Sequence, residues 1–140
     1  PKIIMNSFER TLSIIKPDAV DRKLENEIKN CFINSGFVIE KEKKIQLSKE
    51  EAENFYKVHQ TKPFYNDLCE YLSSGPITVM ILKKENAIAD NRKLMGATDP
   101  KKSEEGTIRK KYGISIDKNS VHGSDSLENA KIEIDFFFKN

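Results

Sequence analysis

The stretch Ile77-Thr-Val-Met-Ile-Leu82 is the most continuous apolar run in the chain. It follows neither the two-residue alternation of a half-exposed strand nor the three-to-four-residue repeat of an amphipathic helix. Such a run suits a strand covered on both faces or lying at the centre of a sheet. Gly75-Pro76 immediately before it ends whatever precedes and frees the chain to begin that strand.

Around this strand the other elements fall into place by period and punctuation. Thr11 to Ile15, a β-branched run stopped at Lys16-Pro17-Asp18, predicts a strand followed by a turn. Leu24, Ile28, Cys31 and Phe32 recur at helical spacing between Arg22 and Asn34, with Gly36 placed to end that helix. Phe37 to Ile45, apolar first and charged later, reads as an edge strand. Ser48-Lys-Glu-Glu51 is a capping box for a helix carrying Ala52, Phe55, Tyr56 and His59. A short helix through Leu68, Tyr71 and Leu72 follows Pro63, and Ala87 to Met95 forms another that ends at Gly96. From Ala97 to Asp117 the periodicity is weak, which predicts a long loop with one helical turn at most. Ile116 to Val121 is expected to supply the fourth strand, and Asp125-Ser-Leu-Glu128 the start of a last helix through Leu127, Ala130, Ile134, Phe137 and Phe138. Two β-α-β halves giving one four-stranded antiparallel sheet covered by helices, a ferredoxin-like βαββαβ α+β arrangement, is the simplest topology for this order.

Composition narrows the function classes. The 140 residues suit one compact domain over 1–140 and are too few for two. Lys and Arg total 24 against 22 Asp and Glu, so a net charge of +2 creates no general field for nucleic acid or anionic lipid, and an anion site has to be built locally. Cys31 and Cys69 form no C-x-x-C pair and read as reduced, buried thiols. Pro1 to Phe8 has no apolar stretch long enough for an export signal, and no run of roughly 18 apolar residues occurs. A cytoplasmic protein without a membrane span is expected.

Candidate chemistry gathers at Asn119-Ser-Val-His122-Gly-Ser-Asp125, where a strand is expected to end and a capped helix to begin. Imidazole titrates near neutral pH, so much of it is the neutral, nucleophilic form there without an activating base, and it can attack phosphorus directly. Glu133 falls close to the apolar seam of the last helix, where a carboxylate is costly unless partnered; a hydrogen bond to His122 or Ser124 would account for it. Lys16, Arg92 and Arg109 are cations that could face such a nucleophile. Phosphoryl transfer asks for positive charge around the moving group, hydrogen-bond donors such as Thr98 and Tyr56 on the flanking phosphate, and little else. The chain has no G-x-x-x-x-G-K-[ST] loop, no G-x-G-x-x-G and no protein-kinase signature, so any nucleotide site is of another kind.

Five segments in order, Ile15-Lys-Pro-Asp18, Ser74-Gly-Pro76, Met95-Gly-Ala-Thr98, Gly106-Thr-Ile-Arg109 and Asn119-x-x-His-Gly-Ser-Asp125, closely resemble the nucleoside diphosphate kinase family over roughly Glu9 to Phe138. The resemblance implies γ-phosphoryl exchange between nucleoside tri- and diphosphates by a ping-pong route through a phosphohistidine on His122. It implies that Ser124 and Glu133 orient His122, that Tyr56 sits beside it, and that Lys16 and Asn119 meet the sugar 3′-hydroxyl and nearby phosphate oxygens. Arg92, Thr98 and Arg109 are implied to bind phosphates, Phe64 to stack on the base and Ile116 to pack on its other face, with His59 a further group that could reach a phosphate. It also implies Mg2+ held chiefly by the nucleotide phosphates and water, and a homo-oligomer. Many relatives continue past the point matching Asn140 with a tail that packs on a neighbour, and the loop from Asp99 to Glu105, which matches a subunit-contact segment, is unusually charged. A hexamer is expected in preference to a tetramer. Two other classes fit the residues less well. An RNA-binding sheet needs aromatics on its central strands, and residues 11–16 and 77–82 have none. A regulatory histidine phosphoprotein would not need Lys16, Phe64, Arg92, Thr98, Arg109 and Asn119 together.

Overall fold

The apolar run does become an inner strand. The computed structural model describes residues 8–138, and in it β3 spans Ile77–Glu85 between β1, Phe8–Ile15, and β2, Val38–Ile45; β4, Val121–Gly123, pairs on the far side of β1. All pairs are antiparallel and the order is β2-β3-β1-β4. The helices are α1 Pro17–Asp21, α2 Glu25–Asn34, α3 Lys49–Phe55, α4 Tyr65–Leu72, α5 Ala87–Met95, α6 Ile108–Tyr112 and α7 Leu127–Phe138. This is the ferredoxin-like α+β arrangement expected. Most of the stretch read for an export signal lies outside the described residues; among those described, no helix is long and apolar enough to cross a membrane.

Alternation along β3 explains why its sequence carries no period. Met80 and Leu82 join a core with Ile28, Phe32 and Met95, whereas Ile77 and Val79 join Leu72, Ala52 and Phe137 in a second core on the opposite face. Both faces are buried, so no position asks for a polar residue. At the exposed edge, β2 is irregular between Ile39 and Lys41, and the Glu40 carboxylate there pairs with both Arg10 Nε and Nη2, at 2.8 and 2.9 Å. A bulge and a row of charges are what keep an edge strand from recruiting strangers.

Several expected boundaries move. Lys16-Pro17-Asp18 is not a free turn: Pro17, with its preset φ, opens α1. Lys23, at φ 62, then separates α1 from α2, which begins at Glu25 rather than Arg22. The Ser48/Glu51 capping box forms as read, with Glu51 N donating to Ser48 Oγ at 3.0 Å and Ser48 N to Glu51 Oε1 at 2.8 Å. That helix stops at Phe55, leaving His59 in a separate 3-10 turn. The loop from Ala97 to Asp117 holds a 3-10 turn at Pro100–Lys102 and the helix α6, capped by Thr107. The fourth strand is not Ile116 to Val121; it starts where the expected one ends, because the chain before it turns back on itself through Ile114 N to Lys118 O. The cap of α7 is Ser126, whose Oγ accepts from Asn129 N at 3.0 Å, one residue later than expected. Both cysteines are free, Cys69 buried and Cys31 half-buried.

Candidate active site

His122 lies within β4, opposite Ile14 of β1, and so belongs to the strand rather than to a junction beyond it. The strand register aims its ring at α7. His122 Nε2 is 2.9 Å from Glu133 Oε1, and Ser124 Oγ donates to the same oxygen at 2.8 Å. Ser124 Oγ in turn accepts from Leu12 N at 3.2 Å, which leaves its proton for Glu133. A carboxylate accepts only, so the proton between His122 and Glu133 belongs to Nε2. The lone pair of the neutral ring is then on Nδ1. Side chains of His122 and Glu133 are 20% and 19% exposed, enough to admit a substrate and too little for water to dissolve the pair.

Phe55, at the end of α3, contacts the His122 ring edge-to-face at 5.5 Å, and it also touches Phe136 and Phe137 of α7. Nothing in the residue pattern separated Phe55 from an ordinary core aromatic beside Tyr56. Tyr56 follows it, nearly buried; burial first and the Glu133 charge second push its phenol well up, so it is a neutral donor. A chain of rings runs from Tyr56 to His59 at 6.1 Å and on to Phe64 at 6.0 Å, which joins the half-exposed Phe64 to the site. Ile116, 56% exposed, stands in the loop before β4.

Three cations, Lys16, Arg92 and Arg109, stand on segments next to β4. Lys16, 6% exposed at the end of β1, donates from Nζ to Asn119 Oδ1 at 2.9 Å, and Asn119 Nδ2 donates to Thr98 O at 3.0 Å. Burial and then the nearby Arg109 charge lower the Lys16 pKa to about 8. Arg109, also nearly buried, is lowered to about 10 by burial and by Arg92, and stays charged at neutral pH. Its Nη1 and Nη2 donate to the carbonyls of Gly96 and Val121 at 3.0 and 2.9 Å, while Nε has no partner among the described residues. Thus Arg109 also braces β4, a second role its place in a weakly patterned loop concealed. Arg92, Thr98 and Arg109 line one cavity of about 170 Å3 with Gly123, the neighbour of His122. A larger cavity of about 1000 Å3, around Phe8, Lys83 and Leu127, contains none of these residues. Arg109 raises the cost of charge at Lys16, and Arg92 does so at Arg109; positive groups set against one another in this way suit a polyanion.

Comparison with known proteins agrees with this chemistry. The family model described as nucleoside diphosphate kinase matches residues 9–140. The nucleoside diphosphate kinase of Campylobacter jejuni strain RM1221 is 59% identical over 132 residues, 94% of this chain and 96% of that relative. That of Persephonella marina is 54% identical, covering 94% of both chains. Among solved structures, the Aquifex aeolicus nucleoside diphosphate kinase in its orthorhombic crystal form superimposes with a TM-score of 0.93 at 40% identity, over 95% of this chain and 96% of that one.

Proposed function

The chain belongs to the nucleoside diphosphate kinase family, and from that footing we propose that His122 is the group that carries the phosphoryl between nucleotides. The activity is that of a nucleoside-diphosphate kinase, a phosphotransferase moving the γ-phosphoryl group of a nucleoside triphosphate to a nucleoside diphosphate. The observation that carries the assignment is a histidine held at Nε2, with no partner at Nδ1 among the described residues, and two arginines, Arg92 and Arg109, gathered at one small cavity beside its neighbour Gly123.

In the first half-reaction Nδ1 of His122 attacks the γ-phosphorus. The new Nδ1–P bond forms as the bond to the bridging oxygen breaks, and the diphosphate leaves with that electron pair. The Nε2 proton stays on the ring, stabilised by Glu133, which Ser124 holds in place. The acceptor diphosphate reverses the sequence. Splitting one transfer into two symmetrical halves lets a single site serve donor and acceptor in turn. Arg92, Thr98 and Arg109 bind the phosphates, Tyr56 donates beside the nucleophile, and Lys16 with Asn119 meets the 3′-hydroxyl and adjacent oxygens. Phe64 carries the base on its face, with Ile116 against the other side.

When bound, Mg2+ would be held by the nucleotide phosphates and water and would supply charge neutralisation there. The protein's donors fit that division: the groups at the cavity are cationic, and Glu133 is committed to His122 and Ser124. Assembly as a homohexamer in the cytoplasm completes the reading; exposed Ile33 on α2 and Val38 on the edge strand offer apolar surface for subunit contact. Incubation with γ-labelled ATP tests the central claim. The label should transfer to protein, survive base and be lost in acid, as a phosphoramidate is; an acid-stable label would place the phosphate on a hydroxyl instead.

A further inference from the structure

Ser120, two residues before His122, is fully buried and sits at φ 77. Val121 N donates to Asn119 O at 2.9 Å across it, so Ser120 is the centre of a γ-turn of the positive-φ kind, a conformation strained for a non-glycine residue. Such a turn persists only where its surroundings hold it. The holder is Asp18, 8% exposed, on the first turn of α1. Its Oδ2 accepts from Ser120 Oγ at 3.1 Å and from Arg22 Nη2 at 3.1 Å, and its Oδ1 accepts from the Tyr71 hydroxyl of α4. Arg22 is itself tied to the Tyr112 carbonyl. The turn carries Asn119 and grips Lys16, the two groups assigned to the sugar: Ser120 O accepts from Lys16 N at 2.8 Å, and the side chain of Asn119 accepts from Lys16 Nζ.

We propose that Asp18 and Ser120 form a positioning hub that locks this turn and so aims Lys16 and Asn119 at the nucleotide 3′-hydroxyl. The inference rests on the sugar role proposed for Lys16 and Asn119. A residue that only supports the fold lowers stability and treats all nucleotides alike; a hub that aims two groups at one hydroxyl changes how well substrates with and without that hydroxyl are told apart.

The test measures kcat/KM for a 2′-deoxynucleoside diphosphate and its 2′,3′-dideoxy counterpart, with thermal midpoints, in the wild type and in Ser120→Ala, Asp18→Asn, the double variant and Ser120→Gly. Ser120→Ala and Asp18→Asn should each lower the value for the 2′-deoxy substrate about tenfold and that for the dideoxy substrate less than about twofold, with the double variant little worse than either, because both act on the same Ser120–Asp18 contact, one deleting its donor and the other removing the carboxylate charge. Ser120→Gly, which suits the positive φ and folds where alanine fails to, should lose the same discrimination. Variants that keep the wild-type ratio while melting lower overturn the hub and leave Asp18 a structural residue. A wild type that does not tell the two substrates apart overturns the sugar assignment, and the hub falls with it.

Discussion

At the residue scale the site separates groups that act from groups that also build. His122 is fastened by one nitrogen, so His122→Ala should leave the sheet intact by circular dichroism and abolish labelled phosphoenzyme; retained exchange activity would contradict its role. The two arginines should part company. Arg92 is exposed, and Arg92→Ala should reduce kcat/KM at least about tenfold, or 1.4 kcal/mol, at unchanged stability. Arg109→Ala should match that loss and also destabilise the fold by about 1–3 kcal/mol, since the carbonyls of Gly96 and Val121 lose their donor inside the protein; denaturant midpoints distinguish the two. Lys16 predicts opposite pH trends. With its pKa lowered to about 8, its charge is lost from the free enzyme as pH rises through that value, so kcat/KM for nucleotides should fall there. Below about 8 native and unfolded chains both hold the proton, and the buried charge weighs against folding. Between about 8 and the ordinary 10.5 the unfolded chain binds more protons, so the contribution of Lys16 to stability rises with pH across that window. Parallel pH series of activity and of unfolding free energy would separate these trends, and Lys16→Met should remove both.

At the element scale, the proposed site asks that α5 lie close on β4. A Cβ at Gly123 would stand 2.3 Å from Asn91 Nδ2 and 3.0 Å from Met95 Sδ, both on α5, so there is no room for one. Gly123→Ala should therefore push α5, which carries Arg92, away from the strand that carries His122. We expect a loss of about 1–3 kcal/mol in stability and a fall in kcat/KM larger than that loss explains, measured by chemical denaturation and steady-state rates. The contrasting case is the Ser48 cap of α3, which is exposed and satisfies only that helix: Ser48→Ala should cost about 1 kcal/mol and leave kcat within about twofold. Elements with local signatures were readable before the structure. The box at Ser48 and Glu51 is made by residues three apart, and the ending of α5 at Gly96 needs only a change of backbone conformation there. β4 was not, because three residues carry no period, and its start is set by the turn at Ser120 rather than by its own composition.

At the scale of the whole molecule, the groups proposed for phosphate and the ring proposed for the base lie in different places. Phe64 lies at the start of α4, beyond the ring chain of Tyr56 and His59, and a ring gripping a base by its face reads no edge. Adenine, guanine, cytosine, uracil and thymine diphosphates should all be accepted, purines ahead by about 1 kcal/mol through greater buried area. A preference beyond roughly a thousandfold in kcat/KM with a common donor would reveal an edge-reading group. By itself the sequence determined the order of the four strands and the longer helices, the inner place of Ile77–Leu82 and the inventory of chemical groups, from His122 and Glu133 to the three cations. Periodicity, caps and reactive side chains are properties of residues near one another in the chain. Only the tertiary structure decided that His122 pairs opposite Ile14, that Arg109 spends its donors on β4, and that Asp18 reaches Ser120. Those contacts join segments whose separation leaves no trace in local pattern, and a hydrogen bond between distant residues is settled by strand register and packing, which act only once the chain has folded.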